Sequence, residues 1–158
     1  MVKKLVQTVL ALLALVWIPA GCSGSGIPEL DWDAGEMVLL EAYTGGVPAD
    51  ALKKETRDPE LIRLASSQLK QLKIQRAASN DDVPCGGIGL YLRFSRADGS
   101  SETVHLGANG DLLLTGAGFY KLRRPLDPGS LWRSLDGEEV SVPEQELPEV
   151  GSRGSAQK

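Results

Sequence analysis

The chain reads as an α+β domain: an antiparallel β-meander of about four to five strands, packed by one amphipathic helix and closed by a short C-terminal helix. Three observations carry this. Ile88, Leu90, Leu92 and Phe94 alternate with Gly89, Tyr91, Arg93 and Ser95, the period of a half-buried strand. Asp98-Gly99 and Asn109-Gly110 stand between such runs, and these dipeptides favour tight hairpin turns. Asp58-Pro59 opens a stretch with helical spacing of apolar residues, Asp serving as N-cap and Pro suiting the first helical position.

Taken in order, Ile27–Glu36 is an acidic lead-in containing Trp32. Met37–Tyr43 is apolar and reads as the first strand, ended by Thr44-Gly45-Gly46. Val47–Thr56 fits either a short helical turn capped near Pro48 and Asp50, or a second strand with a loop. The helix from Pro59 carries Leu61, Leu64, Ala65, Leu69 and Leu72 as its apolar stripe and is expected to run to about Ala77. Arg63, Lys70, Lys73 and Arg76 lie among or opposite them and read as solvated charges, a basic face toward anionic lipid headgroups being the alternative. Ala78–Gly87 is a loop; Asn80-Asp81-Asp82 at its tip lacks the alternating ligands and distal Glu of a calcium loop. Ile88–Leu122 holds four strands joined by tight turns. Its glycines fall at turns, and no Gly-rich loop leads into a helix bearing a phosphate-binding Lys. Arg123-Arg124-Pro125 ends the last strand; the two arginines read as a solvated pair, with anion binding as the alternative. Asp127-Pro128 starts a second helix that runs through Leu135, where Leu131, Trp132 and Leu135 close the core. From Asp136 to Lys158 the chain is acidic with little apolar periodicity, and reads as a mostly disordered tail. Residues 36–135 thus form the expected domain.

Residues 1–21 have the anatomy of a signal peptide. Lys3 and Lys4 precede an apolar run from Leu5 to Ile18, and Pro19-Ala20-Gly21 offers a helix stop and small residues for a peptidase. A helix over that run spans about 21 Å, short of a ~30 Å hydrocarbon core, so a retained membrane span is the weaker reading. Ile18-Pro19-Ala20-Gly21-Cys22 resembles the lipobox of bacterial lipoproteins, although that family usually has Leu, Val or Ile where Pro19 stands. The resemblance implies that Cys22 takes a diacylglyceryl group, that cleavage falls just before it, and that the protein works outside the cytoplasm on a membrane. Two or three acyl chains hold a protein stably, whereas one binds marginally. Residues 22–35 then form the lipidated N-terminus and tether, flexible at Ser23-Gly24-Ser25-Gly26. Ser23 resembles the default that sends Gram-negative lipoproteins to the outer membrane; in a Gram-positive cell the site would be the outer leaflet of the cell membrane.

The chain has a formal charge of −4, and −6 once Lys3 and Lys4 are removed. The 137 residues from Cys22 onward suffice for one domain with a core. Such an acidic balance argues against nucleic acid as a partner. Cys22 and Cys85 are the two cysteines. Exported chains meet oxidising conditions, but a thioether at Cys22 forbids a disulfide between them and leaves Cys85 a free thiol in a Pro-Cys-Gly-Gly loop. Residues 36–135, with Tyr91-Leu92-Arg93-Phe94, Asp98-Gly99, Gly110-Asp111 and Phe119-Tyr120-Lys121-Leu122, also resemble small bacterial lipoprotein domains of uncharacterised function. That resemblance implies an α+β domain on a lipid anchor and supplies no catalytic residues.

Function reads as a non-catalytic binding or interaction module anchored outside the cytoplasm, with an envelope protein or peptide as partner, no cofactor and no metal. His105 is the sole histidine, which leaves a metal site thin in ligands. The alternative is an envelope enzyme using Cys85 with His105, or a carboxylate pair such as Asp98 and Glu102. A third arrangement is strand addition at a free sheet edge on Met37–Tyr43 or Phe119–Leu122.

Overall fold

A computed structural model of the chain describes residues 37–45, 51–83 and 89–150. It is an α+β fold, but the sheet has eight strands rather than four or five. The strands are β1 (Met37–Gly45), β2 (Ala51–Thr56), β3 (Ile74–Ala77), β4 (Gly89–Arg96), β5 (Ser101–Leu106), β6 (Leu112–Thr115), β7 (Gly118–Leu122) and β8 (Val140–Val142). The helices are α1 (Pro59–Lys70) and α2 (Pro128–Ser134). The order across the sheet is β3-β7-β6-β5-β4-β1-β2-β8, and every pairing is antiparallel.

The meander β4–β7 forms where alternation and turn residues place it. Gly99 (φ 85°) and Gly110 (φ 70°) occupy the left-handed region that glycine enters without a Cβ penalty. Gly110 has a second duty. Its carbonyl accepts from Leu126 N at 2.9 Å, and a Cβ on it would lie 1.8 Å from the Leu126 carbonyl oxygen. The approach to α2 therefore rests directly on this turn.

Both helices start as expected. Asp58 accepts from Glu60 N at 2.8 Å and Asp127 from Gly129 N at 2.9 Å, each followed by proline at the first position. α1 ends sooner than expected, at Lys70 instead of near Ala77. Residues 74–77 instead complete the hydrogen-bonding ladder of β7, and Ile74 enters the core from the sheet. The face α1 buries is also shifted: Ile62, Ala65, Ser66 and Leu69 are buried, while Leu64 is 40% exposed. Positions 62, 65, 66 and 69 have the i, i+3, i+4, i+7 spacing, and Ser66 disguises it by placing a polar residue in the core.

The two faces of the sheet differ. Leu40, Ala42, Leu90, Leu92, Phe94, Val104, Leu106 and Leu113 line one face and pack with Ile62, Ala65 and Leu69 of α1 and Leu131 and Leu135 of α2. Lys54 ties α2 to β2: its ammonium donates to the Trp132 and Leu135 carbonyls at 3.3 and 3.1 Å and sits 4.7 Å from the Trp132 ring centre. Neither helix belongs to the second cluster, where Tyr43, Ala51 and Val142 pack with Tyr91 and Leu147. Part of the expected tail is therefore built in. β8 pairs with β2, Leu147 packs beside Tyr43, and Pro148 is buried. Three residues of strand and one leucine carry no periodic signal, which is why the acidic composition dominated the reading. Residues 151–158 lie outside the described chain.

The expected free edges are both interior. β1 lies between β4 and β2, and β7 between β6 and β3. The edges are β3, which contains a register shift, and the three-residue β8, both poor templates for strand addition. Among the described residues, no helix is long and apolar enough to cross a membrane.

The two turns give a direct test. Gly99→Ala is expected to cost about 1 kcal/mol, the left-handed penalty alone, because open space surrounds it. Gly110→Ala is expected to cost on the order of 3 kcal/mol or more, since the Leu126 backbone must move as well. Chemical denaturation of the two variants checks the difference.

Candidate functional site

The helix-free face is built from the outward positions of the same strands whose inward positions make the core. Cross-strand partners share a face. The pairs Val140–Lys53, Lys53–Tyr43, Tyr43–Tyr91, Tyr91–His105, His105–Leu114 and Leu114–Phe119 therefore form one row across seven strands. A second row runs Glu55–Glu41–Arg93–Thr103. At the β2-β1-β4 centre the rows meet in a charged cluster.

Glu41 is its hub, only 5% exposed. One carboxylate oxygen, Oε1, accepts from the Tyr43 hydroxyl at 3.0 Å and from Lys53 Nζ at 2.7 Å. The other, Oε2, accepts from Arg93 Nε at 2.6 Å. Arg93 Nη2 also donates to the Tyr43 hydroxyl at 3.0 Å. Lys53 reaches Glu55 at 3.1 Å, and both cations lie 5.7 Å from the Tyr43 ring centre. Burial pushes the Glu41 carboxyl up, but the hydrogen bonds from Arg93 and Lys53 outweigh it and hold it at about 2. Burial lowers Lys53, yet its bonds to Glu41 and Glu55 carry it above the ordinary lysine value. Burial, then the Glu41 charge, raise the Tyr43 hydroxyl, so it stays protonated. The cluster is saturated with internal partners: it fixes geometry, with Glu41 held ionised and Tyr43 and Lys53 held protonated near neutral pH.

His105 stacks on Tyr91, with ring centres 4.1 Å apart and planes inclined by 13°. Its ring also lies over Gly89, where a Cβ would meet Nε2 at 2.1 Å. Burial lowers its pKa, favouring the neutral imidazole. Of the residues the sequence singled out, Cys22 and Cys85 lie outside the described chain, as do the signal segment and tether. Asp98 and Glu102 are engaged locally. Asp98 accepts from Ser100 N at 2.8 Å, and bonds from Ser100 hold its carboxyl below the usual range, opposite to what a general acid needs. Glu102 pairs with Arg96 at 2.8 Å. Among the described residues, no three His, Cys, Asp or Glu side chains gather as metal ligands.

The sequence marked Tyr91 and Arg93 as outward positions of β4 but passed over Glu41. An acid inside an apolar strand was the available signal, because a buried carboxylate requires partners.

Glu41 titrates lower in the folded chain than its ordinary 4.5. Its stabilisation is therefore complete above about pH 4.5 and is lost as pH falls toward 2. Glu41→Gln is expected to lower neutral-pH stability by on the order of 3 kcal/mol and to flatten the acid limb in that window. Urea titrations across pH measure both.

In comparisons with known proteins, no family model matches this chain and no solved structure matches it.

Proposed function

We propose that this protein is an extracytoplasmic lipoprotein, anchored to a membrane through acylated Cys22, whose α+β domain acts as a non-catalytic binding module. The observation that carries the binding reading is the asymmetry of the sheet. One face is occupied by both helices, whereas the other presents Tyr91, His105, Leu114 and Phe119, half-buried and in register, beside the charge-balanced cluster of Glu41, Glu55, Lys53 and Arg93. Aromatic side chains on a fixed platform give contact area at low entropic cost. The saturation of Glu41, Lys53 and Arg93 supports recognition over chemistry, because these groups are already committed to holding one another. An envelope protein or peptide is the partner class that suits this surface. The anchor reading rests on the Lys3-Lys4 lead, the apolar run and Ala20-Gly21-Cys22.

The test pairs wild type with Cys22→Ala. Intact mass of the wild-type chain is expected to show cleavage before Cys22 and an added diacylglyceryl group, with the protein in the membrane fraction. Cys22→Ala is expected to lose the acyl mass and to retain its signal segment. A soluble, unacylated wild-type chain overturns the anchor.

A further inference from the structure

The sheet order separates charge. Lys73 and Arg123 are far apart in sequence, yet Arg123 N donates to the Lys73 carbonyl at 2.8 Å where β3 meets β7. Lys70 ends α1 directly before this point and Arg124 follows it. All four are exposed, and among the described residues none makes an ion pair. Arg76 and Lys121, cross-strand partners on the same edge, are neutralised by Asp82 and Asp111. Asp136, Glu138 and Glu139, the last paired with Lys54 at 3.3 Å, lead into β8 at the other edge, seven strand spacings or roughly 33 Å along the sheet. The four cations without an ion pair thus gather where β3 meets β7, with exposed Asp81 as the acid near that edge, while Asp136 and Glu138 lie toward the other.

We propose that the β3 edge is a contact surface for an anionic bilayer, with Lys70, Lys73, Arg123 and Arg124 seated among phosphate headgroups and the acidic β8 edge held away. The proposal deepens the anchored reading given above and rests on it. Charge complementarity selects this occupant: the four cations are exposed and make no ion pair among the described residues, which suits a laterally fluid layer of phosphates. The acids at the far edge are repelled by the same surface, so the tethered domain stands on its β3 edge. The helix-free face is then perpendicular to the bilayer and open from the side.

The experiment uses the processed chain beginning at residue 22 with Cys22→Ser, so that no acyl group contributes, and sedimentation with vesicles. Vesicles containing phosphatidylglycerol are expected to bind it, phosphatidylcholine alone is expected not to, and raised salt is expected to abolish binding. Each cation near such a surface is worth about fivefold, so Lys73→Gln with Arg123→Gln is expected to weaken partition about 25-fold. Lys70→Gln with Arg124→Gln is expected to do the same. Arg57→Gln, an exposed cation near Glu55, is expected to change little. A shared thermal transition shows that the variants fold. Equal binding to neutral vesicles, unchanged partition in both double variants, or an equal loss in Arg57→Gln overturns the proposal. Capture by soluble polyphosphate as strong as by vesicles also overturns it, in favour of a soluble polyanion. Because no acyl group is present, these results are independent of whether Cys22 is modified.

Discussion

A buried carboxylate organises the β4-β1-β2 part of the sheet. Glu41 sits on β1 between β2 and β4, and its oxygens take hydrogen bonds from Lys53 on one neighbour and Arg93 on the other, with Tyr43 closing the ring. An unpaired carboxylate there would be costly, so the three strands are held in the one register that supplies both cations. A shift of one residue would bring core side chains such as Leu92 to Glu41 in place of Arg93, and would turn Leu40 and Ala42 away from α1. The ionic constraint on one face and the hydrophobic constraint on the other thus specify the same alignment.

That agreement separates the labours of the two faces. The helix-covered face carries the hydrophobic stability through Phe94, Leu92, Val104 and their partners on α1 and α2. The other face is tied together by ion pairs and the Tyr91–His105 stack, and among the described residues neither helix packs on it. Its C-terminal rim is trimmed by β8 and Leu147, which pack on Tyr43 and Tyr91. The Tyr91 and His105 rings are thereby held in a fixed stack on this face of the sheet. The placement of charge along the sheet's long direction follows from topology alone, since β3 and β7 are brought together only when the sheet is complete.

The meander and both helix starts were legible because their signals are local: alternation in Leu90–Phe94, Asp-Gly and Asn-Gly turns, and Asp-Pro caps. β2 was one of two open readings of Val47–Thr56, and β3 and β8 were not legible, because each depends on a neighbour's open ladder. Ile74–Ala77 continues a helical pattern in sequence and becomes a strand only where β7 offers its edge. Val140–Val142 has three residues, too few for periodicity to speak. In the site, Arg93 and Tyr91 were visible as outward positions, whereas Glu41 was hidden inside an apolar run. The pairing of Lys73 with Arg123 had no sequence signal at all, being a contact between distant segments.

The central claim is that Glu41 and Arg93 act as one unit across β1 and β4. A double-mutant cycle with Glu41→Gln and Arg93→Met, read by urea unfolding at neutral pH, measures it. A coupling on the order of 2 kcal/mol is expected. Additive losses, with no coupling beyond error, would contradict it.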